Sequence, residues 1–512
     1  MKATVTWKEG LAFTGLAKSG IPIQLDGDLS EGGQNSGVQP MEMVALGLAG
    51  CTAEAVPGAD AADAAAAAPA AAPQGRQLAP PYYVFSPDVP HDIVTQDVGA
   101  IGFQPFVDNL AWETFLALSW PVPDPLVERG VPDRQNVVGG LVQHGEGGGK
   151  ISPTGPTVWE SYKDTADLFV SDGNNNPVEP APFDAPETIP PACQTLAANH
   201  PGAAGRTLMM EAKISDVLED FKQAFTGQPL IDQNGQKVWY EVKVNRAYYD
   251  YVVDNGFWDS RKQKGATISF PSSSNTTLEE PAVKVKAAWK VMGGPGSKQP
   301  DDPKKFYTTE ALIYDSETGT CTKELVGLVG LHVVQKTDLL PQWMWATFEH
   351  VDNAPDAQGG PVSGKQYNFF SSQCAGCPLN EPPSATNPDF PTQVVRVVPV
   401  DSVAAGANSL FQPALQALRA DNVWQNYMLV NAQWADNRDP VGTPTQPKFL
   451  ANTTMETYLQ EPVDDPGSPH GCINCHGKFA AQKDLDFQLY KAYPQPANLA
   501  QEILAAGHGG TP

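Results

Sequence analysis

Long apolar runs are missing from this chain: no stretch of about eighteen apolar residues occurs, so no segment can cross a membrane as a helix. Basic residues are scarce. There are 33 Lys and Arg against 58 Asp and Glu, a formal charge of −25, and a phosphate backbone would be repelled. That argues against nucleic acid and suits a soluble protein that meets basic partners. The signatures of several enzyme classes are also lacking: no Gly-x-Ser-x-Gly, phosphate loop, His-Glu-x-x-His or dinucleotide fingerprint is present. Gly147-Gly148-Gly149-Lys150 has the composition of a phosphate-binding turn but not its spacing. Cysteine and histidine are few, 7 and 8 in 512 residues, so their placement is informative. What the chain has in abundance is proline and glycine, 48 and 46, which predict many turns and long irregular connections.

The densest use of the scarce residues is Cys472-Ile473-Asn474-Cys475-His476. Two cysteines separated by two residues and followed at once by histidine form the c-type haem attachment pattern. Each thiol can form a thioether to one vinyl group of the porphyrin, and the adjacent imidazole then lies under the iron. The expectation is one covalent haem c, with Cys472, Cys475 and His476 as its binding residues and His476 as proximal ligand. Half of a zinc site and a redox dithiol are the rival readings of the same residues.

A sixth ligand is less obvious. The last methionine of the chain, Met455, precedes the motif, and it is the first candidate because it is nearest in sequence. A thioether there would raise the haem potential. His508 is the downstream histidine, and His332 and His350 are candidates on expected strands. An open sixth position is the further alternative, and it would favour a haem enzyme of peroxidase-like chemistry over plain electron transfer.

The other cysteines bear on compartment. Cys374 and Cys377 form a second Cys-x-x-Cys without histidine, expected as a structural disulfide or a redox pair. Cys193 and Cys321 remain as a candidate pair, and Cys51 is left over. Disulfides and covalent haem point outside the cytosol, hence to the periplasm. No ordinary export signal is evident, because Met1 to Val5 leads into Trp7, Lys8 and Glu9 instead of an apolar run.

Along the chain the pattern is α+β. Residues 1–55 read as a small β-rich unit, with strands at Met1–Trp7, Leu11–Gly15 and Ile21–Leu25. Residues 56–84 are an Ala/Pro-rich linker. The body, 85–512, opens with a helix carrying Phe106, Leu110, Trp112, Phe115 and Leu118, and it stops at Pro121. Residues 121–205 read as irregular, and Ile214, Val217, Leu218, Phe221 and Phe225 mark an amphipathic helix. Val283, Val285, Ala287, Trp289 and Val291 alternate with Lys284, Lys286 and Lys290, a strand with one buried and one wet face. A hairpin is expected over 306–334 and a further strand over 343–351, giving an antiparallel sheet with flanking helices. Leu410, Phe411, Ala414, Leu415 and Leu418 mark another helix, and the C-terminal segment one or two short ones.

Two resemblances follow. Gly32-Gly33, Pro40-Met41-Glu42 and Leu48-Ala49-Gly50-Cys51-Thr52-Ala53 resemble the start of the OsmC/Ohr family's central helix. The resemblance implies a thiol peroxidase with Cys51 as the attacking thiol. It covers a truncated module: no arginine precedes Arg76, and Val56-Pro57-Gly58 ends the helix. Leu48-Ala49-Gly50-Cys51 also has the form of a lipobox, which would make Cys51 a lipid anchor. The body resembles a family of large bacterial monohaem cytochrome-c-like proteins, through Ala111–Leu118, Trp343–Asn353 and Asn452–Thr457. It implies haem and a periplasmic home, and no known substrate. The expected partner is a redox partner protein, of basic character if the net charge decides. Three functions are carried forward: a c-type cytochrome, a haem enzyme with an open distal position, and a thiol peroxidase acting through Cys51.

Overall fold

Short alternating runs near the N-terminus pair with each other: β1 (Thr14–Leu16) and β2 (Pro22–Gln24) form an antiparallel ladder with Gly15 opposite Ile23. They lie in the first of two units, Met1–Val84 and Phe85–Pro512, into which the computed structural model of the chain divides. The structure describes 14–16 and 22–24 of the first unit. Of the second it describes 85–93, 102–123, 129–134, 138, 156–200, 207–210, 228–315, 318–435 without 375 and 384–389, 445–460, and 471–503 without 500 and 502. The expected strand at 1–7, Cys51, the linker at 56–84, the helix over 214–225 and His508 lie outside the described residues.

The second unit is α+β. Its opening helix, α1 (Gln104–Leu118), forms where expected, with a proline in its first turn and Ser119 at its C-terminus. Among the described residues of the irregular stretch after it, the regular pieces are short: β3 (Lys163–Asp164), β4 (Val170–Ser171), β5 (Pro177–Val178) and α2 (Gln194–Asn199). Next come β6 (Thr207–Met210), β7 (Trp239–Val244), α3 (Arg246–Asp254) and α4 (Ser260–Gln263). The long strands are β8 (Val283–Val291), β9 (Thr308–Asp315), β10 (Thr320–Gln335) and β11 (Met344–His350). Then follow α5 (Ser402–Leu418), β12 (Tyr427–Gln433) and α6 (Cys472–Ala480).

The sheet runs β12-β11-β10-β8-β7-β3 and is antiparallel along that path. The hairpin β9–β10 forms as the sequence predicts, but β10 extends further than expected. Its first half pairs with β9 and its second half with β11, while β8 holds the opposite edge. β6 adds a parallel pairing to β9. Cys193 beside α2 is joined to Cys321 on β10, the candidate pair of the sequence. Among the described residues no helix is long and apolar enough to cross a membrane.

One face of the sheet, with Leu331, Val333, Ala346 and Phe348, lies under α1 and α5. Phe115 stacks on Phe348 with centroids 4.2 Å apart, and Trp112 stacks on Phe411 at 5.0 Å; all four are fully buried. The opposite face carries Lys284, Lys286, His332, Trp345, Thr347 and Glu349, and the C-terminal segment covers it. The lysine side of β8 is therefore not wet, which corrects the sequence reading. Lys284 pairs with Asp486 at 2.9 Å and Lys290 with Asp301 at 2.7 Å, and both lysines are buried. Alternation of Lys with Val reports only the change of face. The distant carboxylates decide whether the charged face is covered.

Candidate haem-attachment site

The motif lies on α6, with Cys472 in its first turn and Cys475 and His476 three and four positions on. That spacing puts the three side chains on one face of the helix. The residue before it, Gly471, has no side chain to cap the exposed N–H groups. Gln433 at the end of β12 takes that role: its Oε1 accepts from the Ile473 N–H at 2.8 Å. Its amide donates to the Pro447 carbonyl at 2.8 Å, and Thr445 Oγ1 donates to Asn474 Oδ1 at 3.1 Å. A Cβ on Gly471 would meet Gln433 Nε2 at 2.3 Å, so glycine lets the helix start this close to the strand while Gln433 keeps its bonds.

Cys472 and Cys475 are half-buried free thiols, not a disulfide. Burial pushes the Cys472 thiol well above its ordinary value, and Glu456 adds to the effect. Burial, again with Glu456, pushes Cys475 up to about 12. Burial thus favours the neutral thiol at both positions. Among the described residues no group of three or more His, Cys, Asp and Glu side chains is placed to hold a metal ion, whereas a structural zinc takes four such ligands.

His476 is oriented by its surroundings. Its Nδ1–H donates to the Leu485 carbonyl at 2.7 Å, which fixes the tautomer and leaves the Nε2 lone pair available. Asp484 and Leu485 both adopt left-handed backbone conformations (φ 53° and 67°), the turn that brings the Leu485 carbonyl back towards the helix. The turn is pinned: Trp343 Nε1 donates to the Asp484 carbonyl at 2.9 Å, Phe270 N–H donates to the Asp484 carboxylate at 2.8 Å, and Lys336 pairs with that carboxylate. Trp345 packs against the imidazole at 4.3 Å between centroids, and Phe487 meets it edge-on at 4.6 Å. Burial holds His476 well below its ordinary pKa, with the Lys284 ammonium adding to the effect.

The expected sixth ligands fare differently. Met455 is buried in an apolar cluster with Leu230, Tyr240, Phe306 and Val394, a cluster to which no residue of the motif belongs. His350 is buried on the α1 side of the sheet. Its Nε2–H donates to the Lys305 carbonyl at 2.9 Å, and its Nδ1 accepts from the Asp352 N–H at 3.1 Å. His332 faces the C-terminal segment, with Nδ1 bonded to Thr347 Oγ1 at 2.9 Å and Nε2 to Glu456 Oε1 at 3.0 Å. Both ring nitrogens of each histidine are engaged. Cys374 and Cys377 are joined as a disulfide in a loop after β11.

No known family model, curated protein or solved structure matches this chain.

The residues that sequence reasoning missed are those that position the motif: Gln433, Trp345, the Leu485 carbonyl, Phe487 and Lys284. Trp345 and Glu456 fall inside two of the blocks that carry the cytochrome resemblance, and that is the available signal. The segment holding Glu456 is fastened by Glu349, which pairs with Arg396 at 2.6 Å and accepts from the Thr453 N–H at 2.6 Å. Gly330 on β10 admits it: a Cβ there would lie 2.3 Å from Thr454 Oγ1.

Proposed function

We propose that this protein is a c-type cytochrome that carries one covalent haem on α6 and exchanges electrons outside the cytosol. The observation that carries the reading is the His476 arrangement: Nδ1–H committed to the Leu485 carbonyl, Nε2 available, and two free thiols on the same helix face. Cys472 and Cys475 would hold the porphyrin through thioethers and His476 would be the axial ligand. Haem bound there would supply a one-electron couple. The chain's own contribution is orientation and shielding. Leu485 fixes the imidazole tautomer, Gln433 anchors the helix start, and Trp345 and Phe487 exclude water from the ring. A periplasmic location follows from this reading, since haem is attached to such motifs there, and the Cys193–Cys321 disulfide fits an oxidising compartment.

The test is the intact mass of the denatured protein after export in a strain with cytochrome maturation proteins. A gain of one haem is expected, and it should vanish in Cys472→Ser/Cys475→Ser. An unmodified wild-type chain would overturn the reading.

A second reading, a haem enzyme with an open distal position, is favoured by the engaged nitrogens of His332 and His350 and by the core packing of Met455. Ready binding of carbon monoxide by the reduced protein supports it; failure to bind supports a six-coordinate carrier. The peroxidase and lipid-anchor readings of Cys51 lie outside the described residues.

A further inference from the structure

His332 and Glu456 stand beside the motif but hold none of its residues. By register, Gln433, Trp345, Val334 and Lys284 form one row across the sheet, and this row meets the motif. Gln433 accepts from the Ile473 N–H, Trp345 packs on His476, and Val334 shares an apolar cluster with Ile473 and Cys472. The next row on the same face is Thr347, His332 and Lys286, about 7 Å along the strands. Glu456 bonds into that row from the C-terminal segment and acts on the Cys472 and Cys475 thiols, while His332 and Lys286 add to the field at His476. The His332 side chain is 15% accessible and that of Glu456 28%, so solvent reaches the pair.

The two strand histidines differ in what their rings can do. Nδ1 of His350 accepts from the Asp352 N–H, a backbone donor that cannot reverse its role, so that ring is held neutral. Nδ1 of His332 meets the Thr347 hydroxyl at 2.9 Å, which donates to a neutral ring or accepts from a protonated one. Thr347 Oγ1 also accepts from Asn452 Nδ2 at 2.7 Å, which leaves its own proton to serve Nδ1. Nε2–H of His332 donates to Glu456 Oε1 in both states, and the Asn452 N–H holds the other carboxylate oxygen at 2.8 Å. Burial opposes ionisation of Glu456, but His332, the Asn452 N–H and Lys286 outweigh it and hold this carboxyl below its ordinary value. An imidazole with a carboxylate on one nitrogen and a hydroxyl on the other gains a proton without losing either contact. The other charges facing it are Lys286, whose ammonium lies 5.1 Å over the Tyr240 ring, Lys284 paired with Asp486, and Glu349 paired with Arg396.

We infer that His332 is the proton partner of electron transfer at the motif: as the site gains one electron from a one-electron donor, Nδ1 of His332 takes one proton from hydronium, and oxidation returns both. This rests on the cytochrome reading. An added electron lowers the charge beside His332, which favours imidazolium, and by reciprocity a proton on His332 favours the reduced state. Within the protein the bond formed is Nδ1–H, and the Thr347 hydroxyl turns to accept it.

The test uses the full-length exported protein loaded with haem, its midpoint potential followed by spectroelectrochemistry from about pH 5 to 8. The potential should fall as pH rises, with a slope approaching about 59 mV per unit, a tenfold change in the one-electron equilibrium. His332→Gln should lose most of that slope, Glu456→Gln should move it to lower pH, and His350→Gln should keep it. An indicator dye in weak buffer should record proton uptake on reduction of the wild type, a reading that needs no variant. A flat wild-type potential, no proton uptake, or an unchanged slope in folded His332→Gln would overturn the inference. A haem stain on the same samples separates the two claims: absent haem sinks the cytochrome reading and this inference with it, whereas haem with a flat potential sinks the proton coupling alone.

Discussion

The two faces of the central sheet are built on different principles. Under α1 and α5 the contact is a stack of aromatic rings, Trp112, Phe115, Phe348 and Phe411. Under the C-terminal segment, apolar packing of Val334, Trp345, Ile473, Leu485 and Leu489 is joined by a set of hydrogen bonds and ion pairs: Gln433 to Ile473, His332 to Glu456, Glu349 to Arg396 and Lys284 to Asp486. Burial of apolar area is strong but non-directional. Paired polar groups add less net stability but fix position, because a displaced partner leaves a buried charge uncompensated. The face that holds the His476 imidazole in one tautomer adds the directional kind to its apolar packing.

Substitutions can separate the two roles. Phe115→Ala should cost the most, about 4 kcal/mol of unfolding free energy in denaturant titration, since it empties a fully buried ring site. In the protein that remains folded, the environment of His476 should be unchanged by proton NMR. Arg396→Met should cost somewhat less, about 3 kcal/mol, because Thr453 still donates to Glu349 from both its N–H and its hydroxyl. The signature should differ, with earlier proteolysis at 452–460.

A pH effect belongs to the aromatic face. Burial lowers His350 from 6.5 to about 4. The unfolded chain therefore takes up that proton first as pH falls, so its stabilisation is complete above about 6.5 and is lost on the way down to about 4. The contribution is on the order of 3 kcal/mol, and a His350→Gln variant should show a flatter stability profile across that window. Gln433→Ala should have the smallest global effect, about 1 kcal/mol for a lost helix cap. It should nevertheless lower the yield of haem attachment, because the start of α6 loses its anchor. Equal haem yield in Gln433→Ala and wild type would remove the positioning role.

The same contrast governs what is legible in the sequence. Helical spacing of Phe106, Leu110, Trp112, Phe115 and Leu118 locates α1, and alternation locates β8 to β11, because apolar burial leaves a local period. The early part of α5 escapes: Ser402–Asn408 is rich in small residues and gives no apolar stripe, and its start rests on Asp401 accepting from the Val403 N–H at 2.8 Å. Alternation misreads the lysine face of β8, because its counter-charges Asp301 and Asp486 lie elsewhere in the chain. Cys472, Cys475 and His476 are legible since their chemistry needs contiguity. Gln433, Trp345 and Leu485 are not, as a hydrogen bond or ring contact across the fold leaves no spacing to read.

The most direct measurement is a haem stain on a denaturing gel with an alkaline pyridine spectrum, after expression with cytochrome maturation proteins and a genuine export signal. A stained band with the spectrum of a thioether-linked haem, lost in Cys472→Ser/Cys475→Ser, is the predicted result. An unstained, folded wild-type protein would contradict the account and return Cys472 and Cys475 to thiol chemistry.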